Sequence, residues 1–316
     1  MPSAKAYAPI NIALIKYWGK RDVKRVLPYN ESISLTLDGF GSTTMLETTD
    51  KNTLEVFIND HPATTADHKR VQRFLSQFEG FDASLGIRMT SVNTVPIAAG
   101  FASSASAYAA LAKAANRFFE TDYDLKTLSE ITRKGSGSAT RSLLGGAVSW
   151  DTQGTINTIA WPFDDTVILA VSVNEAQKEI PSREAMAHCV KTSSTYTQWV
   201  SEAANDAEAM KSAITAHDFK QVGIITERNA LLMHETMANA KPPIEYLTEE
   251  SKHILSIVST LQSEGVDVYA TMDAGPNVKL LCKIKDIETI QDRLIHEGFK
   301  RIKRLDIAKK GAHLLE

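Results

Sequence analysis

The chain has 316 residues, of which 43% are apolar and 23% are charged, values typical of a globular protein with a large core. Its formal net charge of −3 argues against a general nucleic-acid binder, which normally carries a basic excess. No apolar run approaches the roughly 18 residues that span a membrane, and no signal-peptide cleavage pattern follows the first residues. We therefore expect a cytoplasmic protein that binds neither membrane nor nucleic acid.

Alternating apolar and polar residues predict strands in the first part of the chain. Residues 32–37, "SISLTL", place Ile33, Leu35 and Leu37 on one face. Further strands are predicted at 43–49, 53–59, 85–92, 146–150 and 166–174, and helices at 66–79, 103–119 and 125–134. The run at 166–174 is apolar enough to be buried on both faces of a sheet.

The second part of the chain is predicted to be mainly helical. Helical patterns fill 182–240, a Pro pair at 242–243 interrupts them, and another helix is predicted at 248–264. A hairpin, a helix at 286–297 and a short closing strand follow. These segregated runs predict an α+β fold of two lobes, 1–180 and 181–316.

Few residues suggest zinc or hydrolase chemistry. Cys189 and Cys282 are the only cysteines, and their spacing is typical of buried thiols in a reducing compartment. His234 and Glu235 lack the second histidine of a zinc-binding helix, and no Gly-x-Ser-x-Gly segment is present. Any functional site must therefore be built from other groups.

One acid stands inside an apolar stretch at 271–277, "TMDAGPN". Asp followed by Gly and Pro is typical of a hairpin turn, which is one interpretation of Asp273. The other interpretation is a catalytic base held at the end of a strand. These seven residues alone do not decide between the two.

A Gly- and Ser-rich turn at 96–119, "PIAAGFASSASAYAALAKAANRFF", leads into an Ala-rich helix. The free N–H groups and dipole at a helix start attract phosphate, and Gly100 would let the backbone approach it. Ser103, Ser104 and Ser106 could donate hydroxyls or hold a metal ion. The alternative is an ordinary Ser N-cap on a packed helix.

Three more segments place cations beside turns. In 133–146, "RKGSGSATRSLLGG", backbone donors and Arg141 suit a carboxylate or phosphate, unless this is a flexible surface loop with a solvated arginine. In 11–22, "NIALIKYWGKRD", strand residues run into lysines beside two aromatic rings, which suits an anionic small molecule or an ordinary strand end. In "KEIPSRE", Ser182 is predicted to cap the next helix while Arg183 points outward.

Taken together, "NIALIKYWGKRD", "SISLTL", "PIAAGFASSASAYAAL", "GSGSATRSLLGG", "IPSRE" and "TMDAGPNVK" strongly resemble the mevalonate diphosphate decarboxylases of the GHMP kinase superfamily. They occur in that family's order and at its approximate spacing. The resemblance implies a two-lobed GHMP kinase fold with an N-terminal lobe of ribosomal protein S5 domain 2-like type. It also implies a left-handed βαβ crossover, a ferredoxin-like C-terminal lobe, an active site between the lobes and a homodimer.

The resemblance also implies the reaction. ATP, with Mg²⁺, phosphorylates the tertiary hydroxyl of mevalonate 5-diphosphate; loss of phosphate and CO2 then gives isopentenyl diphosphate. By motif, Asp273 faces the tertiary hydroxyl, Lys16 lies close and keeps it ionised, and Arg141 grips the substrate carboxylate. The nearest alternative is a sister kinase that phosphorylates mevalonate or its monophosphate without decarboxylation, and a more distant one is a non-catalytic ligand sensor.

The remaining implied residues hold phosphate groups. The diphosphate of the substrate is expected at Tyr17, Lys20, Ser136, Gly137, Ser138, Ser182 and Arg183. The ATP phosphates are expected at Pro96, Gly100, Ser103, Ser104 and Ser106, with Ser104 as the ligand of Mg²⁺.

Overall fold

The computed structural model describes residues 2–82, 84–95, 103–173 and 180–316. Within these ranges, strands and helices build two larger sheets covered by helices, an α+β architecture as predicted. Pro96 and Gly100, both predicted to contact ATP, lie outside the described residues.

The bounds of the elements follow the chain. The strands are β1 (Ser3–Ile15), β2 (Lys20–Asp22), β3 (Leu27–Pro28), β4 (Ser32–Thr48), β5 (Leu54–Ile58), β6 (His61–Pro62), β7 (Ile87–Asn93), β8 (Ala147–Trp150), β9 (Ile156–Ile159), β10 (Thr166–Val171), β11 (Val268–Met272), β12 (Val278–Lys283), β13 (Ile302–Asp306) and β14 (His313–Leu315). The α-helices are α1 (Thr65–Leu75), α2 (Ser103–Phe118), α3 (Leu125–Gly135), α4 (Ser182–Thr192), α5 (Tyr196–Thr215), α6 (Phe219–Ala238), α7 (Glu249–Ser263) and α8 (Ile287–His296). Two 3-10 helices span Gly137–Leu143 and Ile284–Asp286.

The first sheet has the strand order β14-β1-β4-β7-β5-β6, with β8 and β9 added beside β4. Its long central pair, β1 and β4, is antiparallel. Strands β5 and β7 are parallel and are connected through α1, so they form the crossover unit of this sheet. The left-handed sense of that crossover stays a prediction.

Strand β4 contributes both of its faces to the interior. Ile33, Leu35 and Leu37 lie in the core between the two sheets, as the alternation predicted. The opposite face is also buried, although it carries Ser32 and Thr36. Their hydroxyl groups form hydrogen bonds with residues 141–144: Ser32 Oγ accepts from Arg141 Nη1, and Thr36 Oγ1 donates to Leu144 O, each over 2.8 Å.

The second sheet has the order β11-β12-β10-β13, all antiparallel. Strand β10 is buried at every position, which confirms the prediction for 166–171; residues 172 and 173 are half-buried, and residue 174 lies outside the described residues. One face of the sheet packs against the first sheet and α6, and the other packs against α7 and α8. The lobe boundary near residue 180 stays a prediction; β10, which precedes it, pairs within this second sheet.

Helix positions agree with the sequence patterns except at their ends. α1 ends at Leu75, earlier than predicted, but Phe78 beyond it remains buried because it packs in a cluster with Phe74. The helical stretch at 182–240 divides into α4, α5 and α6. Among the helices of the described ranges, none is both long and apolar enough to cross a bilayer.

Where the sequence predicted one closing strand, the structure has two, and they lie in different sheets. β13 pairs with β10 in the second sheet, whereas β14 pairs with β1 in the first. In the latter pair, Lys5 lies opposite Leu315 and Tyr7 opposite His313. The last part of the chain therefore crosses from one sheet to the other.

Candidate active site

Lys16 and Asp273 meet at the ends of two strands from different sheets. Lys16 directly follows β1, and Asp273 directly follows β11 in the turn to β12, which confirms the hairpin. Lys16 Nζ donates to Asp273 Oδ1 over 3.0 Å. The lysine side chain is 1% exposed and the aspartate side chain 24% exposed. A small molecule can therefore reach the carboxylate, while the ammonium lies behind it.

The charge of Lys16 is held in a dry environment. Burial lowers the pKa of its ammonium, the Asp273 carboxylate opposes this, and the Arg141 cation lowers the pKa further. Two backbone contacts also hold the residue: Lys16 N–H donates to Asn229 Oδ1 over 2.8 Å, and Asn30 Nδ2 donates to Lys16 O over 3.0 Å. The position of Lys16 is thus set by its backbone as well as by the ion pair.

Arg141 is buried in the 3-10 helix Gly137–Leu143, so the alternative of a solvated surface arginine is wrong. Its Nη1 donates to Ser32 Oγ over 2.8 Å and its Nη2 to Asn11 Oδ1 over 3.3 Å. Nε has no hydrogen-bond partner, and in the part of the chain that the structure describes no carboxylate forms an ion pair with this side chain. Burial lowers its pKa to about 10. Such a cation is suited to an incoming carboxylate.

Tyr17 is close enough to Arg141 and Arg183 to be affected by both charges. The Arg141 and Arg183 cations lower the pKa of its hydroxyl, but burial raises it more, so the phenol is neutral. The ring packs edge-on against Trp150 with the centroids 4.9 Å apart. Its hydroxyl oxygen is buried and has no hydrogen-bond partner among the described residues. A ligand oxygen would satisfy it.

The backbone of residue 137 lies so close to the Tyr17 ring that only glycine fits there. A Cβ atom on this residue would lie 2.8 Å from Tyr17 Cε1, closer than carbon atoms approach in proteins. The loop can therefore approach the ring only because position 137 has no side chain.

Lys20 and Arg183 form the other end of the site. Burial lowers the pKa of Lys20, and the nearby Arg183 cation lowers it further. Arg183 is exposed and donates from Nη2 to Gly135 O over 3.0 Å. Ser182 is the first residue of α4, and Pro181 occupies the N-cap position, so the predicted capping by Ser182 is wrong.

The Gly/Ser segments meet at the start of α2. Ser104 Oγ lies 3.3 Å from Ser136 Oγ, which lies 3.2 Å from Ser138 Oγ. Ser103 and Ser104 are exposed. Ser106 is fully buried, 2.7 Å from Ser42 Oγ, and also donates to Ser103 O. The geometry therefore does not support Ser106 as a phosphate contact, because its hydroxyl points into the core.

Several site residues were missed by the motif analysis. Asn11 and Ser32 hold Arg141, and Asn229 holds Lys16. His234 Nε2 donates to Asp273 O over 3.2 Å; burial and the Lys16 charge lower the pKa of this imidazole to about 4. Only Asn11 gave a signal, since it interrupts the apolar run of β1.

The charged and phenolic groups form a connected series, because each perturbs the pKa of the next. The series runs through Asp273, Lys16, Arg141, Tyr17, Arg183 and Lys20. Four cations accompany one carboxylate, so the series favours a polyanion. The carboxylate end could accept a proton from a hydroxyl, and the opposite end could hold phosphates.

Two family models cover most of the chain. The Diphosphomevalonate decarboxylase-like N-terminal domain matches residues 8–159, and the Mevalonate 5-diphosphate decarboxylase C-terminal domain matches residues 167–314.

Individual proteins give the same result. Diphosphomevalonate decarboxylase of Candida albicans is 36% identical over 304 residues, which is 88% of this chain and 83% of that protein. The crystal structure of mevalonate diphosphate decarboxylase from Staphylococcus aureus has a TM-score of 0.94 at 36% identity and covers 100% of this chain and 98% of that one. The structure of MDDEF in complex with MVAPP, AMPPCP and magnesium has a TM-score of 0.93 at 35% identity, over 100% of this chain and 99% of that one. These matches confirm the two-lobed GHMP kinase fold, and the chain belongs to the diphosphomevalonate decarboxylase family.

Proposed function

We propose that the series of groups from Asp273 to Lys20 carries out the ATP-dependent decarboxylation of mevalonate 5-diphosphate to isopentenyl diphosphate, ADP, phosphate and CO2. The series itself is the main support, because it supplies a carboxylate for a hydroxyl, an arginine for a carboxylate and two cations for a diphosphate. Membership of the family supports the same reaction.

Asp273 serves the first step. Its partly exposed carboxylate accepts the proton of the tertiary hydroxyl as that oxygen attacks the γ-phosphorus of ATP and ADP leaves. Lys16, 3.0 Å away, favours the ionised form of this carboxylate by its opposite charge. Phosphoryl transfer depends mainly on positioning and charge neutralisation, which this pair and the neighbouring cations supply.

Arg141 serves the second step by holding the substrate carboxylate. The C–C bond to that carboxylate breaks, its electron pair forms the new double bond, and phosphate leaves with the electrons of its C–O bond. Ser32 and Asn11 fix the guanidinium so that it does not rotate with the departing CO2. The reaction needs no separate electron sink because the phosphorylated hydroxyl is the leaving group.

The diphosphate of the substrate binds at the opposite end. Arg183 and Lys20 supply positive charge, and the unpartnered Tyr17 hydroxyl donates to a phosphate oxygen. Ser182 and the segment 136–138, with its two serines, line the same end of the site.

The ATP phosphates and Mg²⁺ fit the start of α2. Ser103 and Ser104 present exposed oxygen donors, which Mg²⁺ prefers, and a helix N-terminus attracts phosphate. Ser104 would hold Mg²⁺, which neutralises phosphate charge when bound. No group of three His, Cys, Asp or Glu side chains within the described ranges could hold a metal ion, so phosphate and water oxygens would complete its ligands.

Product analysis tests the proposal. Purified protein and Mg-ATP are supplied with mevalonate 5-diphosphate labelled at the carboxyl carbon, and in parallel with mevalonate and its monophosphate. We expect labelled CO2 one-for-one with ADP from the diphosphate only. Asp273→Asn should abolish both products, whereas Asp292→Asn, at an exposed position of α8, is the matched control and should keep them.

The other outcomes separate the alternatives. ADP without CO2 from any of the three compounds would make the protein a sister kinase. If none of the three compounds gives either product, the protein would be a ligand sensor that has retained the acid.

We also propose the cytoplasmic location, the homodimer and the lobes 1–180 and 181–316. The buried, unpaired Cys189 and Cys282 support a reducing compartment. The homodimer rests on the resemblance to the family; sedimentation velocity showing only the mass of one chain would exclude it. Expression of 1–180 alone tests the boundary, since an independent lobe should unfold cooperatively.

A further inference from the structure

Helix α6 contacts the backbones of both members of the Lys16–Asp273 pair. Asn229 Oδ1 accepts from Lys16 N–H over 2.8 Å. His234 Nε2–H donates to Asp273 O over 3.2 Å; the carbonyl can only accept, so the imidazole must be the donor. Asn229 is fully buried and His234 is 8% exposed.

These two contacts point in different directions. Residues five apart on an α-helix differ by about 7.5 Å in height and about 140° in direction. Asn229 therefore reaches the end of β1 in the first sheet, whereas His234 reaches the turn after β11 in the second. One rigid helix thus touches both halves of a pair whose members belong to different sheets.

The Asn229 contact is fixed by a second hydrogen bond, and the His234 contact depends on the neutral form of the ring. Asn229 Nδ2 donates to Asp206 Oδ2 over 2.9 Å, and buried Asp206 is paired with Arg228, so the amide oxygen must face Lys16. His234 is neutral at neutral pH because burial and the Lys16 cation disfavour its charged form, so it keeps one N–H for the Asp273 carbonyl.

We propose that Asn229 and His234 are positioning residues, which through α6 set the separation of the Lys16 ammonium and the Asp273 carboxylate across the two sheets. The inference rests on the catalytic role proposed above for Asp273. Neither residue touches substrate. Their loss should therefore slow the chemical step while leaving the Arg141–Lys20 part of the site, and hence substrate binding, unchanged.

The test compares variants of the full chain. His234→Phe fills the same space without a donor, and His234→Gln returns an N–H donor at the same reach. Thr226→Val is the matched control, because this fully buried residue of α6 has a hydroxyl with no hydrogen-bond partner among the described residues. kcat and KM for mevalonate 5-diphosphate and ATP are measured for each, per mole of folded protein.

We expect His234→Phe to lower kcat roughly 10- to 100-fold, the loss typical of displacing a reacting group by about 1 Å, with both KM values within about twofold. His234→Gln should recover most of kcat, and Thr226→Val should equal wild type. Wild-type kcat in His234→Phe, or a loss that His234→Gln does not recover, would overturn the proposal. If His234→Phe does not fold, Asn229→Ala gives the same measurement on the Lys16 side: reduced kcat at constant KM supports the inference, and wild-type kcat refutes it.

Different results would exclude the proposed function and the positioning role. A wild-type protein without CO2 release, or an active Asp273→Asn, removes the proposed function. Normal CO2 release and an inactive Asp273→Asn, together with a fully active His234→Phe, remove only the positioning role.

Discussion

Replacing Arg141 by methionine should abolish decarboxylation and yet leave the fold at least as stable. Arg141 is 3% exposed, and its hydrogen-bond partners among the described residues, Ser32 and Asn11, are neutral. Burial lowers its pKa from 12.5 to about 10. At about 1.4 kcal/mol for each pKa unit, the charge destabilises the folded protein by about 3 kcal/mol.

Methionine fills similar space and removes that charge. It also removes two hydrogen bonds, each contributing about 1 kcal/mol. The net expectation is a stabilisation of about 1 kcal/mol, whereas removing an arginine from a satisfied buried ion pair destabilises by about 3–5 kcal/mol. The same loss of charge removes the proposed grip on the substrate carboxylate, so kcat/KM should fall by about 100-fold or more, as expected for about 3 kcal/mol.

The assay pairs urea unfolding with CO2 release. Arg133→Met is the control, because Arg133 is equally buried at 3% exposed but lies 4.0 Å from the Glu130 carboxylate, which offsets its charge, and also donates to the carbonyls of Arg25 and Gly154 over 2.9 and 3.1 Å. We expect this control to lose about 2 kcal/mol or more. If Arg141→Met is destabilised as much as Arg133→Met, or still releases CO2 at the wild-type rate, the reasoning about an unpaired guanidinium is refuted.

Three further predictions use other contacts. Gly137→Ala would place a Cβ 2.8 Å from Tyr17 Cε1, so the ring must shift, KM for mevalonate 5-diphosphate should rise and the urea midpoint should fall; an unchanged KM would contradict the diphosphate assignment. The unfolded chain protonates His234 near pH 6.5 but the folded chain only near 4, so wild-type stability should fall by up to about 3 kcal/mol as the pH drops between these values. His234→Gln should remove that part of the fall, and equal pH dependence in both proteins would disprove it. Glu227→Leu should lose about 1–3 kcal/mol in urea unfolding, because Glu227 Oε2 accepts from Ala270 N–H over 2.8 Å on the edge strand β11; an unchanged midpoint would show that water replaces the contact.

Local patterns predicted the parts of the site that lie within motifs. Lys16 and Asp273 each end an apolar strand, and the sequence shows both the strand and the charged residue that follows it. Their meeting was implied only by resemblance, since strand patterns do not say which strand ends are neighbours in space. The turn residues alone were enough to predict the hairpin at Asp273.

Contacts made across the fold had no local signal. Asn229 and His234 stand inside a long helical run, where the pattern gives the helix but not the backbone atoms that two of its side chains reach. The segment with Arg141 has the composition of an exposed loop, yet it is buried, because Asn11 from β1 donates to Ser138 O and Ser142 Oγ. Composition describes a segment, whereas burial depends on what covers it.

The pairing of β14 with β1 has a consequence for the order of events during synthesis. Residues 5–7 are synthesised long before their partners at 313–315. Until residues 313–315 are made, β1 lies at an open edge of the first sheet and presents free N–H and C=O groups, through which strand edges recruit other chains. A chain that ends before residue 313 would therefore have an open sheet edge. Aggregation of such truncated chains should begin at this strand.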